Sequence, residues 1–240
     1  VYAQRFAADG TKQGNEFRVN TYTTSNQYEP RIDTLSDGGF VVVWRSSGQD
    51  GSGEGVYGQR FATDGTPAGG EFRVNEGTPG SQYQPDVIGL AGGGFVVAWY
   101  SDWYDISGTG SYSDVYVREY ASDGTALTPQ VKANSPGPSQ TNESQPVLTD
   151  LGSGRYALVW TAGENQDGSE NGIYQQLFGP NAGAFTRQGS PVLADFSGTV
   201  TFGENAVNAG LQVLDASVSL TDTDSPDFAG GRIELFYFSG

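Results

Sequence analysis

The 240-residue chain has no cysteine, no methionine and no histidine. These absences exclude a disulfide framework, thiolate zinc sites and a histidine general base. Basic residues are scarce: 12 Lys and Arg stand against 28 Asp and Glu, for a net charge of -16. A surface so acidic repels nucleic acid phosphates and anionic headgroups, so neither nucleic acid binding nor membrane insertion is expected. Cations, calcium above all, are the expected partners, although the same charge also serves solubility in a salty medium. No apolar run approaches the roughly 20 residues of a membrane helix. Only 17% of residues are charged, and 36 Gly, 13 Tyr and 13 Phe point to an all-β chain.

The sequence repeats. One full copy reads Pro30, Phe40-Val-Val-Val-Trp44, Val56-Tyr-Gly-Gln-Arg-Phe61, Asp64-Gly-Thr66 and Glu71-Phe-Arg-Val-Asn75. A second reads Pro85, Phe95-Val-Val-Ala-Trp99, Val115-Tyr-Val-Arg-Glu-Tyr120, Asp123-Gly-Thr125 and Gln130-Val-Lys-Ala-Asn134. A looser third has Pro146, Tyr156-Ala-Leu-Val-Trp160 and Ile173-Tyr-Gln-Gln-Leu-Phe178, and a half copy opens the chain with Val1-Tyr-Ala-Gln-Arg-Phe6, Asp9-Gly-Thr11 and Glu16-Phe-Arg-Val-Asn20. Each copy predicts four strands, the second apolar on both faces and therefore buried on both. Such units stack to bury their faces, as propeller blades do. The expected organisation is a half blade over residues 1–20, blades over 28–75, 83–134 and 144–187, and a separate segment over 188–240. The chain opens inside a repeat, so it reads as a window on a longer array. The tryptophans Trp44, Trp99 and Trp160, one per repeat, are expected in the core.

Loop lengths vary between the second and third strands and between successive repeats, whereas the other two turns are constant. In a meander both variable loops lie at one end of the strands, which marks that end as the binding face.

The succession Gly-Gly-Phe-Val-Val-x-Trp, Val-Tyr-x-Gln-Arg-Phe, Asp-Gly-Thr and Glu-Phe-x-Val-Asn resembles repeats of very large secreted bacterial adhesins of the calcium-dependent, hemolysin (RTX) type. Its strand order is also similar to sialidase-like propeller blades, without their fully formed Asp-box. Residues 188–240, with Pro191-Val-Leu-Ala-Asp195, Thr199-Val-Thr-Phe202 and Thr221-Asp-Thr-Asp-Ser225, resemble the start of a cadherin-like, immunoglobulin-type β module. That resemblance implies calcium ligands at Glu204, Asp222 and Asp224.

Two loops share Gln-Asp-Gly-Ser, around Asp50 and Asp167, each followed by an acid, Glu54 or Glu170. Oxygen ligands on glycine-rich loops suit calcium, so Asp50 and Asp167 are candidate metal ligands; a plain polar loop is the alternative. The middle repeat carries Asp102, Asp105 and Asp114 there instead, around Trp103 and Tyr104. That aromatic pair is the candidate contact for a glycan or a protein. Arg5, Arg60 and Arg118 form no carboxylate clamp, and strand salt bridges are their expected use.

The favoured function at this level is a non-catalytic extracellular or cell-surface module of a large repeat protein, serving adhesion or architecture through glycans, surface or matrix proteins, or self-assembly. No enzymatic activity is expected, since the recurrent acids sit on different blades. The alternative is a glycan-active propeller, either a lectin or a sialidase-like glycoside hydrolase.

Overall fold

A computed structural model describes residues 1–102, 113–134, 142–163 and 171–179, all within one unit, Val1–Arg187. These residues form an all-β, propeller-like array of antiparallel sheets. The half blade pairs β1 (Tyr2–Phe6) with β2 (Lys12–Arg18). The first full blade is a meander of β3 (Gln27–Thr34), β4 (Phe40–Ser47), β5 (Glu54–Phe61) and β6 (Phe72–Arg73). The second comprises β7 (Ser81–Gly89), β8 (Phe95–Asp102), β9 (Ser113–Tyr120) and β10 (Val131–Lys132). Of the third, β11 (Glu143–Gly152), β12 (Arg155–Gly163) and β13 (Asn171–Phe178) are described. The cadherin-like module expected over 188–240 lies outside the described residues.

Each blade has an aromatic front and an aliphatic back. Phe95, Val97, Trp99, Tyr116 and Tyr120 on the front of the second blade pack on Val41, Val43, Val56 and Val74 on the back of the first. Tyr156, Leu158, Trp160 and Phe178 meet Val96, Ala98, Val115 and Val117 in the same way. Val42, Trp44, Tyr57 and Phe61 meet Val19 of the half blade, with Val1, Ala3 and Phe17 packed alongside. All three recurring tryptophans are buried as their position requires. Cross-strand rings finish each front: Phe95 stacks on Tyr120 at 4.7 Å and Trp99 on Tyr116 at 5.9 Å.

The repeat signature has a hydrogen-bonding logic. In each Asp-Gly-Thr turn the Asp carboxylate accepts from the Thr backbone N–H two residues on, at 2.9 Å for Asp9, 2.8 Å for Asp64 and 2.8 Å for Asp123. The glycine stands at a φ of 82°, 84° and 90° in turn, which suits Gly. The third-strand arginines reach forward: Arg5 donates to the Asp64 carbonyl and lies over Gly65, and the Arg60 stem lies over Gly124. The Asn that ends each repeat accepts from the first Val of the third strand, Val56 N to Asn75 Oδ1 at 2.8 Å and Val115 N to Asn134 Oδ1 at 3.1 Å. Expected fourth strands over 71–75 and 130–134 therefore shrink to the two-residue β6 and β10, because a side chain takes over the ladder.

The first strands run longer than the sequence suggests. β3 was expected to begin at Pro30 but starts at Gln27, and passes the proline through a bulge. The residue before that proline has a positive φ in every blade, 51° at Glu29, 46° at Gln84 and 54° at Gln145. A non-glycine residue there costs roughly 1–2 kcal/mol. The offset lies in a chain of bonds between blades: Gln84 N donates to Glu29 Oε2 at 2.9 Å, and Gln145 N donates to Gln84 Oε1 at 3.1 Å.

One buried acid links the second and third blades. The Tyr156 hydroxyl donates to Glu119 Oε1 at 3.1 Å, while burial pushes the Glu119 carboxyl up, against the pull of that bond. A carboxyl raised in the folded state stabilises the fold fully below its unfolded pKa, and that contribution is lost as pH rises through the folded value. Glu119→Gln, which keeps an acceptor for Tyr156, is therefore expected to be more stable than the parent near neutrality and to titrate less in stability. Urea midpoints followed across the carboxylate range check this; a midpoint lower than the parent's near neutrality would refute it.

Candidate functional site

The end of the sheets that carries the variable loops holds a cluster built from two neighbouring blades. β3 supplies Tyr28 and Glu29 from the bulge, and β4 supplies Arg45, which sits opposite Tyr28 in the ladder. Glu54 opens β5. The next blade brings Tyr83 from β7 and its ladder partner Tyr100 from β8.

The guanidinium of Arg45 is the centre. It lies over Tyr28 at 4.6 Å and over Tyr83 of the next blade at 5.0 Å, and Tyr83 stacks on Tyr100 at 5.2 Å. Glu29 and Glu54 flank it, each with an oxygen 3.6 Å from a guanidinium nitrogen. A cation held between two aromatic faces gains about 0.5–1 kcal/mol per exposed contact, and more where water is excluded. Burial first, then the charge of Asp102, holds the Tyr100 hydroxyl above the ordinary phenol range, so it stays a donor.

Two polar atoms in the cluster are buried and have no hydrogen-bond partner: the Nε of Arg45, a donor, and the Oε2 of Glu54, an acceptor. Their 3.6 Å separation is too long for a hydrogen bond. Aromatic faces beside paired carboxylates and a fixed guanidinium are suited to grip the C–H faces and hydroxyls of a sugar.

Asp50 accepts from Ser52 N at 3.1 Å and stands near Tyr57, whose hydroxyl is pushed up to about 12 by burial and then by Asp50. Glu54, the acid that follows that loop, is turned to Arg45. Asp114 is satisfied by Lys132 at 2.6 Å and Asn134 at 2.9 Å. Among the described residues no three acidic side chains gather as a metal site would require. Asp167, Glu170, Glu204, Asp222, Asp224, Asp105, Trp103 and Tyr104 lie outside the described residues. The arginines serve packing and ion pairs as expected: Arg60 meets Asp37 at 3.6 Å, and Arg118 meets Glu76 at 2.8 Å.

Sequence reasoning missed the cluster itself. Its signal is the recurrence of Gln27-Tyr-Glu-Pro30 as Gln82-Tyr-Gln-Pro85, together with the residue that follows each recurring Trp, namely Arg45, Tyr100 and Thr161.

No protein-family model and no curated protein matches the chain. Among solved structures, it is similar to an α-L-arabinanase of Penicillium chrysogenum complexed with arabinobiose, at 16% identity and a TM-score of 0.51, over 78% of this chain and 58% of that one. An endo-arabinase from Bacteroides thetaiotaomicron matches at 14% identity and 0.46, over 75% of this chain and 69% of that one. A GH93 α-L-arabinofuranosidase of Fusarium graminearum with arabinobiose matches at 13% and 0.48, over 75% and 54%. The Penicillium match carries the fold, and the chain spans little more than half of that enzyme. The expectation of a non-catalytic adhesion module without enzymatic activity is corrected: the solved structure that carries the fold is an α-L-arabinanase complexed with arabinobiose, which sides with the glycan-active alternative. Glycoside hydrolysis runs on a pair of carboxylates, and although the recurrent acids lie on different blades, folding brings Glu29 and Glu54 of one blade to one guanidinium.

Proposed function

We propose that this chain is the sugar-facing part of a glycoside hydrolase, acting on neutral glycans, with arabinose oligosaccharides as the leading class. The observation that carries the reading is the Arg45 guanidinium stacked between Tyr28 and Tyr83 of adjacent blades and flanked by Glu29 and Glu54. The propeller-like fold shared with the arabinobiose-bound arabinanase supports it. The exposed ring of Tyr28 serves as the stacking platform, and Glu29 and Glu54 as the carboxylate pair that such hydrolysis uses.

Charge narrows the substrate. Arg45 is already engaged by two carboxylates, and Asp102 adds a third acid close to Tyr100. No free cation of the cluster is left to receive a uronate or a sialic acid, and like-charge repulsion rejects them. Calorimetry and reducing-end release, with arabino-oligosaccharides beside oligogalacturonides, test the reading. Binding and cleavage of the neutral series is expected, with binding weakened about two- to tenfold in Tyr28→Ala, in line with aromatic stacking of roughly 0.5–1.5 kcal/mol. Cleavage absent despite binding would reject the hydrolytic role, and failure to bind any neutral glycan would reject the reading altogether.

A further inference from the structure

The seam between the second and third blades departs from the repeat at one place. At the two earlier seams the third-strand arginine reaches toward the next blade, Arg5 over Gly65 and Arg60 over Gly124, and Arg60 pairs with Asp37 of its own blade at 3.6 Å. In the second blade Glu119 stands where the first has Arg60, and Gly92 stands where the first has Asp37. Leu127 takes the place of Ala68, and on the third blade Tyr156 takes the place of Phe95. The ion pair of the first blade is thus replaced by a lone acid and a missing side chain.

These departures meet. Glu119, Gly92 and Leu127 line a cavity of about 260 Å³ at the end of the sheets away from the variable loops, with Leu90, Tyr120 and Gly154 beside them. The fourth, Tyr156, donates to Glu119 Oε1 at 3.1 Å and fixes the carboxylate. Among the described residues that hydroxyl is the one donor to a group that can accept about four bonds, and no basic side chain lines the cavity. A Cβ on Gly92 would meet nothing within 4 Å, so nothing refills the room that the aspartate left. Leu127, 40% exposed, and Leu90 supply an apolar wall next to an acid that is only 5% exposed. Burial pushes the Glu119 carboxyl up, and a cation beside it would offset that cost.

We infer that this cavity binds a small organic cation, a primary amine whose ammonium meets Glu119 while a short alkyl body covers Leu127 and Leu90. The ligand supplies the positive charge that Arg60 supplies at the equivalent place in the first blade. The cavity is smaller than the roughly 300–1,000 Å³ of sites for drug-sized ligands, which keeps the occupant small. A carboxylate held in a place shielded from water makes a stronger charge-assisted bond than one on the surface, so the preference for a cation over a neutral analogue is built in. The site lies at the opposite end of the strands from the Arg45 cluster and is independent of it.

The test titrates the full chain with n-butylamine, a cation at neutral pH, and with n-butanol, its uncharged counterpart, following backbone amides by NMR. Butylamine is expected to shift the amides of Leu90, Gly93, Glu119 and Leu127, and to bind about tenfold or more tightly than butanol, the worth of one hydrogen bond to a charged group. Glu119→Gln keeps an acceptor for Tyr156 and should bring butylamine down to the level of butanol. Nα-acetyl-lysine amide carries the same ammonium on a peptide unit: binding equal to that of butylamine supports a lysine side chain as the source, and weaker binding supports a free amine. Equal binding of the alcohol, binding undiminished in Glu119→Gln, or no binding of butylamine would each overturn the inference. Shifts scattered over the acidic surface instead of gathered around Glu119 would overturn it as well, as they would report attraction to net charge alone.

Discussion

Trp99→Ala is expected to destabilise the chain by about 3–5 kcal/mol, the range for truncating a fully buried aromatic. The ring is 1% exposed, stacks on Tyr116, and lies in the cluster that joins the front of the second blade to Val41, Val43 and Val56 of the first. Removing it opens a cavity at a seam, so the loss falls on two sheets at once. The neighbouring strands are pinned by their ladders and cannot close on the gap. A urea titration followed by far-ultraviolet circular dichroism measures the effect, and an unchanged midpoint would show that the seam does not hold the blades together. Trp44→Phe offers a contrast. The Trp44 Nε1 is buried with no hydrogen-bond partner, so replacing indole with phenyl also relieves an unsatisfied donor, and the cost should be visibly smaller than for Trp99→Phe.

The second large effect is on chemistry. If the Arg45 cluster cleaves glycosidic bonds, Glu29→Gln and Glu54→Gln should each lower turnover by roughly 10²–10⁴, the contribution of a positioned carboxyl in general acid–base catalysis. Amide replacements keep the shape and the acceptor toward Gln84 N, while removing the charge beside the guanidinium. Oligosaccharide binding should survive in both, because the exposed ring of Tyr28 is untouched. Turnover retained in both variants would place the catalytic carboxylates elsewhere. Arg45 is a poorer probe, since its loss leaves two acids facing each other and confuses catalysis with stability.

Much of the fold was legible in the residues. The all-apolar run ending at Trp44, the Gly of each Asp-Gly-Thr turn and the alternation of Tyr2, Gln4 and Phe6 against Val1, Ala3 and Arg5 follow from local sterics and from the need to bury a face. The structure places each of them as that logic requires. The cluster around Arg45 was not legible, for two reasons. Counting along a strand assigns faces only while the period of two holds, and the positive φ at Glu29 and Gln84 breaks it. Moreover, Tyr28 and Tyr83 meet one guanidinium only because two blades stack, and a repeat comparison aligns those residues as equivalents instead of placing them in contact. Glu54 follows the Asp50 loop closely in sequence, yet at the start of β5 it meets Arg45, a pairing no local spacing announces.

The two-faced blade has a consequence for how such a chain changes over generations. Every aromatic front fits every aliphatic back, so duplicating or deleting a whole repeat returns the same surfaces to each other, and the scaffold is indifferent to the exchange. The Arg45 cluster is not, because it belongs to the seam between two particular neighbours. A repeat inserted between Asn75 and Ser81 would leave both blades intact and part their tyrosines. In an array of this kind, specificity is a property of adjacency, and recombination can erase or create it without altering a single core residue.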